Sequence, residues 1–224
     1  MEDFIDIHTH QLSEKANALS IKNIIANQSI FPIKKGFYSM GLHPWYLNQE
    51  NKLTDLEILE ALAKNKNVLA IGEIGLDKIC KTDFDLQIEI FERQILIAEK
   101  LNKPIVIHCV KAFSELISIK KTLRPKVPMI VHGFNQNRQI LDQLIAHQFY
   151  ISLGSVILNE KSNAFKLIGY IPKNHLFLET DTSSISIIEI YNKSVEILQI
   201  ADYELIDVMK SNFKKVFQRS NMAI

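Results

Sequence analysis

Cysteine is scarce in this sequence: Cys80 and Cys109 are the two in 224 residues, too few and too isolated for a disulfide framework. Glycine and proline are also sparse, with seven and six residues scattered rather than clustered. No flexible linker or low-complexity tract therefore marks a boundary, and a single domain over 1–224 is expected. No uninterrupted apolar run approaches the roughly 20 residues needed to span a bilayer. Neither sign of charge dominates, since 26 basic residues face 25 acidic ones for a net charge of +1. That balance excludes a global attraction to nucleic acid or anionic membrane, so any phosphate affinity must be local. Met1-Glu2-Asp3 has none of the basic and apolar regions of a signal peptide. A cytoplasmic monomer with no membrane contact and no obligate protein partner is the expectation.

An apolar content of 47% is enough to bury a large core. Short β-branched or aromatic runs read as strands: Phe4 to His10, Gly36 to His43, Val68 to Asp77, Pro104 to Val110, Val127 to Phe134, Phe149 to Val156 and Leu176 to Asp181. Between them, Leu53 to Ala63, Asp83 to Leu101, Ala112 to Leu123, Asn137 to His147 and Ser162 to Ile171 have helical apolar spacing, and Ile185 to Phe217 reads as wholly helical. Strands alternating with helices imply parallel pairing, in an open doubly wound sheet or a closed barrel. No G-x-G-x-x-G follows the first strand, which disfavours a dinucleotide-binding sheet. The fold class expected is α/β, a compact TIM-type (β/α) barrel with seven readable strands and a helical C-terminal part.

Polar residues collect at the C-terminal ends of these strands. The ends read Asp6-Ile7-His8-Thr9-His10, Gly41-Leu42-His43-Pro44, Gly72-Glu73-Ile74-Gly75-Leu76-Asp77, Ile107-His108, Val131-His132 and Leu178-Glu179-Thr180-Asp181. Five of the seven histidines thus share the edge where parallel barrels build their active sites. His8 and His10, two residues apart, face the same way, about 6.5 to 7 Å apart along the strand. His8, His10, Glu73, His108, His132 and Asp181 offer nitrogen and oxygen donors from several directions, and six ligands suggest two divalent cations. Glu73 can bridge two ions through its two oxygens, and Asp181 is then the natural general base for a water whose pKa coordination lowers toward about 7. Without cysteine pairs, a closed structural zinc site is disfavoured.

These motifs, with Gln87 to Ala98 in the pattern Q-x-x-x-F-x-x-Q-x-x-x-A and Asn212 to Phe217 near the end, resemble the TatD-type metal-dependent deoxyribonucleases and hydrolases of the amidohydrolase group. The resemblance spans nearly the whole chain. It implies that His8, His10, Glu73 and Asp181 surround one cation while Glu73, His108 and His132 hold the other. It places His43 near the substrate phosphate and gives Asp77 an orienting role. Where the family often carries an arginine, two residues after the fourth-strand histidine, this sequence has Val110 and then Lys111, a point charge without the arginine fork. The stretch from His10 to Gly41 is short, implying a trimmed first helix.

Phosphodiester hydrolysis is the leading expectation, on DNA ends or a small phosphodiester, with Asp181 and Glu73 catalytic and His43 and Lys111 binding substrate. A metal-dependent amidase, lactonase or deacetylase keeps the same ligands and changes the bond. A non-catalytic binding barrel is the third class, disfavoured by the intact ligand set. Mixed histidine and carboxylate ligands suit zinc, manganese or iron better than magnesium, and all four stay open. Trp45 and Tyr46 could stack on a base or anchor their loop; Cys80 and Cys109 are expected to be inert.

Overall fold

The computed structural model describes residues 4–11, 17–28 and 36–217. The chain forms two compact units, one of residues 1–22 and 130–224 and the other of residues 23–129. The first holds β1 (Phe4–Thr9), the start of β2 (Ala18–Ile25), β6 (Met129–Val131) from Ile130 onward, β7 (Tyr150–Leu153) and β8 (Leu176–Leu178). With these go helices α4 (Arg138–Ala146), α5 (Asn163–Leu167), α6 (Ile187–Leu198) and α7 (Asp202–Phe217). The second unit holds β3 (Phe37–Gly41), β4 (Val68–Asp77), β5 (Ile105–Val110) and helices α1 (Lys52–Ala63), α2 (Phe84–Leu101) and α3 (Phe113–Leu123).

In the first unit every pairing is parallel: β6 with β7, β7 with β8, and β1 with β2. Thr9 and Asp181 form a parallel bridge that brings the end of β1 beside the segment after β8. Helix α7 is locked onto the start of β8 by Asn212, whose Nδ2 donates to the carbonyls of Lys173 and Leu176 at 2.8 and 2.9 Å. Phe213 and Phe217 stack with centroids 4.9 Å apart, and Phe217 meets the fully buried Phe177 of β8 edge-on. From α6, the Tyr191 hydroxyl takes up both main-chain groups of Ile5 at 3.1 Å, satisfying an otherwise orphaned polar pair in β1.

In the second unit β3, β4 and β5 pair in parallel, and all ten residues of β4 are buried, as a strand covered on both faces requires. The Q-x-x-x-F-x-x-Q-x-x-x-A pattern lies on α2, with Gln87, Phe91, Gln94 and Ala98 all buried. Gln94 closes both main-chain groups of Leu42, accepting from its N–H at 2.7 Å and donating to its carbonyl at 3.2 Å. Gln87 does the same for Asp77, at 2.7 and 3.1 Å. Two buried amides thus replace the ladder partners that these strand ends lack, and so hold the residues next to His43 and Asp77 in place.

Strand β2 is the element that sequence analysis did not anticipate. Its alternating burial is that of a half-buried strand, but Lys22 and Asn23 interrupt the apolar run, and no long helical stretch separates it from β1 to announce a crossover. Residues 12–16 and 29–35, in the stretch read as trimmed, lie outside the described residues. The C-terminal part is also not one continuous helix: α6 stops at Gln199, which takes a left-handed conformation, and α7 begins at Asp202. No glycine or proline flags that break. The helix starts fell close to expectation because caps mark them: Asp83, Asn137, Ser162 and Ser186 each accept from a first-turn N–H.

The tightest approach in the second unit is at Gly75, where φ is +148° and an added Cβ would lie 1.9 Å from the His108 carbonyl oxygen. Gly75→Ala is expected to lower unfolding stability by at least about 4 kcal/mol, whereas Gly169→Ala, with open space around it, should change it by less than about 1 kcal/mol. Urea unfolding of both variants checks this, and equal midpoints would contradict the close approach. Gln94→Leu orphans a buried N–H and a buried carbonyl, so a loss of about 2 to 4 kcal/mol is expected in the same assay.

Candidate metal centre

In the first unit the end of β1 supplies His8 and His10. Asp6, His8 and His10 share strand parity, and Asp6 is the buried post behind the pair. Its Oδ1 accepts from the Thr180 N–H at 3.0 Å and its Oδ2 from the Thr180 hydroxyl at 2.7 Å. Burial pushes the Asp6 carboxyl up to about 7, against the hydrogen bonds from Thr180 that favour its charge. Two main-chain bonds join the strand ends: His10 N donates to the Asp181 carbonyl at 3.0 Å, and Asp181 N to the His8 carbonyl at 2.9 Å. Asp181 itself takes a left-handed backbone, φ +51°, which an aspartate tolerates better than most residues. The outcome is a three-donor group: Asp181 Oδ1 lies 3.7 Å from His8 Nε2 and 3.5 Å from His10 Nε2. One ligand atom from each of His8, His10 and Asp181 falls within 4.8 Å of the others, a spacing that one cation can bridge.

His132, beyond β6, is oriented by Glu179: Oε1 lies 3.3 Å from His132 Nδ1 and accepts from the Gly133 N–H at 2.7 Å. Glu179 is fully buried. Burial opposes its charge, but His132, His8 and Ser152 outweigh that penalty and hold its carboxyl below the ordinary range. The His8 and His132 ring centroids are 4.4 Å apart. Beside these groups opens a groove of about 480 Å³, lined by Gly133, Asn135, Ser155, Glu179, Asp181 and Ser183 among others.

The second unit carries its own donor group, from His43, Glu73 and His108, whose ligand atoms also lie within 4.8 Å of one another. Glu73 Oε1 is 3.2 Å from His43 Nε2 and 2.9 Å from His108 Nδ1. On its far side His108 Nε2 meets Asp77 Oδ2 at 3.1 Å, and the same oxygen accepts from the Trp45 indole N–H at 2.6 Å. Burial raises the Asp77 carboxyl, yet the bonds from Trp45, the Ile79 N–H and His108 prevail and keep it below its usual value. A histidine held from behind by a carboxylate has its ring orientation set, as metal-ligating histidines require.

The structure therefore gathers His8, His10 and Asp181 in one unit and His43, Glu73 and His108 in the other, with His132 held by Glu179. His43, expected at the substrate, is buried against Glu73 and belongs to a donor group. Lys111, exposed and left-handed at φ +54°, directly follows β5. Asp6 and Glu179, outside the ligand set expected from the sequence, are buried carboxylates that hold Thr180 and His132. The available signal was parity, since each stands two residues before a predicted ligand. Burial pushes the Cys109 thiol up to about 12, away from the range of reactive thiolates.

A family model described as TatD related DNase matches residues 7–218. A metal-dependent hydrolase of Buchnera aphidicola is 32% identical over 187 residues, 76% of this chain and 69% of that protein. The 3′-5′ ssDNA/RNA exonuclease TatD of Edwardsiella piscicida is 30% identical over 174 residues, 76% of this chain and 64% of that protein. Alignments with the first curated relatives span 66% to 73% of their lengths. The crystal structure of a TatD homologue from Escherichia coli superposes with a TM-score of 0.83 at 20% identity, covering 98% of this chain and 99% of that one, which establishes the TIM-type (β/α) fold. Among the described residues no helix is long and apolar enough to cross a membrane. With the family model spanning nearly its whole length, the chain belongs to the TatD-related DNase family of metal-dependent hydrolases.

Proposed function

We propose that this chain hydrolyses phosphodiester bonds at nucleic acid ends, using two divalent cations drawn from zinc, manganese, iron or magnesium. The proposed ligands are His8, His10, Glu73, His108, His132 and Asp181. The observation that carries the proposal is that each unit independently gathers a histidine and carboxylate donor group within 4.8 Å. The donor chemistry fits: imidazole nitrogens and carboxylate oxygens, no thiolates, and buried carboxylates orienting His108 and His132 from behind. When bound, divalent cations would act as Lewis acids toward a phosphoryl oxygen and make water more acidic.

The protein's own groups would do the rest. Asp181 is the one carboxylate of the donor groups with a substantially exposed side chain, and it lines the 480 Å³ groove. That exposure supports Asp181 as the group that would take a proton from an entering water. Glu73 and His108 would hold the second cation, His43 beside Glu73 would face the substrate, and Lys111 would contribute a point charge to a phosphate. Neighbouring names support the substrate class, since the Edwardsiella relative is described as an exonuclease on single-stranded DNA and RNA.

Asp181→Asn is expected to cut nucleotide release from a single-stranded oligonucleotide by about 10²- to 10⁴-fold, measured with Mg²⁺, Mn²⁺ and Zn²⁺ supplied in turn. Vigorous lactone or amide cleavage with no phosphodiesterase activity would instead favour a different bond. Elemental analysis of protein purified without chelator should find two divalent ions per chain. His10→Ala should lower that number, and dialysis against chelator should lower both activity and Tm. A metal-free, fully active preparation would refute the assignment.

A further inference from the structure

Among the described residues several large apolar side chains are exposed, and Trp45 is tied through its indole N–H to a carboxylate that holds His108. Trp45 is 54% exposed and the adjacent Tyr46 42%. Its indole N–H donates to Asp77 Oδ2, the oxygen that also meets His108. Its ring centroid stands 5.0 Å from that of His43 and 5.8 Å from that of His108, close to perpendicular to both. The short 3-10 turn Pro44–Tyr46 holds it there: Pro44 opens the turn, His43 Nδ1 accepts from the Trp45 N–H at 3.2 Å, and the His43 carbonyl accepts from the Tyr46 N–H at 3.0 Å. A tryptophan serving only to anchor the loop would bury its ring. Here the polar edge is anchored and much of the apolar surface is left to water.

We propose that Trp45, flanked by Tyr46, is the platform on which a nucleobase next to the cleaved phosphodiester stacks. The inference rests on the phosphodiesterase proposal above and names how its substrate is gripped. The chemistry suits a chain with a net charge of +1 and no arginine directly after His108. Stacking holds a single strand without a broad basic surface and without sequence preference, because every base has a π-face. Because the indole is pinned before substrate arrives, little ordering cost opposes binding. The Asp77 oxygen shared by Trp45 and His108 would place the stacked base beside a proposed metal donor.

Trp45 is the sole tryptophan of the sequence, so intrinsic emission reports on it alone. Titration of the full chain with a phosphorothioate-linked thymidine tetranucleotide is expected to quench that emission saturably, while a tetranucleotide of abasic sugars should not. In cleavage assays, the KM for the abasic chain should exceed that for the normal tetranucleotide by roughly 5- to 150-fold. Trp45→Leu should collapse that ratio to about one, and Trp45→Phe should restore most of it. The ratio is internal to each variant, so a general loss of turnover or partial unfolding does not mimic the result. Equal KM values for the two chains, or equal quenching by both, would overturn the stacking proposal while leaving hydrolysis intact. Saturable quenching by the normal tetranucleotide alone, with no phosphodiester cleaved under any metal, would support stacking and overturn the hydrolase proposal.

Discussion

The candidate centre depends on a short parallel bridge between strand ends. Two main-chain hydrogen bonds, from His10 to Asp181 and from Asp181 to His8, set Asp181 beside two histidines that lie more than 170 residues earlier in the sequence. Backbone pairing is well suited to this task because its geometry does not depend on the side chains it positions. The left-handed turn at Asp181 then directs a carboxylate that a continuing strand would carry elsewhere. In the second unit the same logic operates through register, with Gly75 opposite His108 and no Cβ between them.

Around each donor group lies a shell of buried carboxylates. Glu179 faces His132, and Asp77 faces His108 and Trp45, while Asp6 ties β1 to Thr180. Burying so much negative charge is costly unless each group is paired or hydrogen-bonded. At Glu179 and Asp77 imidazoles, an indole and main-chain N–H groups meet that condition, whereas at Asp6 the bonds from Thr180 only partly offset burial. The same arrangement suits a site for cations, since a carboxylate behind an imidazole holds its ring still. The two glutamines of α2 extend the scheme outward, fixing the strand ends next to His43 and Asp77 with neutral amides where a further charge would be expensive.

A near-zero net charge shapes what the molecule can grip. Without a basic field to concentrate polyanions, the proposed affinity for a nucleic acid end would rest on short-range contacts: bound cations, the single lysine after β5 and the exposed aromatic surface of Trp45 and Tyr46. On that proposal an unpaired end would be favoured over a long duplex, because a flexible strand can bring its phosphate and its base into place together.

Strands with clean apolar runs were legible in the sequence, as were the helices with caps such as Asp83 and Asn137, because local propensity and hydrogen bonding decide them. The histidines and acids at strand ends were legible for a related reason, since a period of two and a parallel topology put chemistry at one edge. By contrast, Lys22 and Asn23 interrupt the apolar run of β2, and that pattern concealed it. The left-handed break at Gln199 likewise has no residue-type signature. Tertiary structure alone decided that His43 meets Glu73, that Glu179 supports His132, and that the Trp45 indole is tethered to Asp77. Such contacts arise from register and from turns that bring distant atoms within about 3 Å. Residue types along a chain determine which groups are available for chemistry, whereas distances between them are a property of the packed backbone.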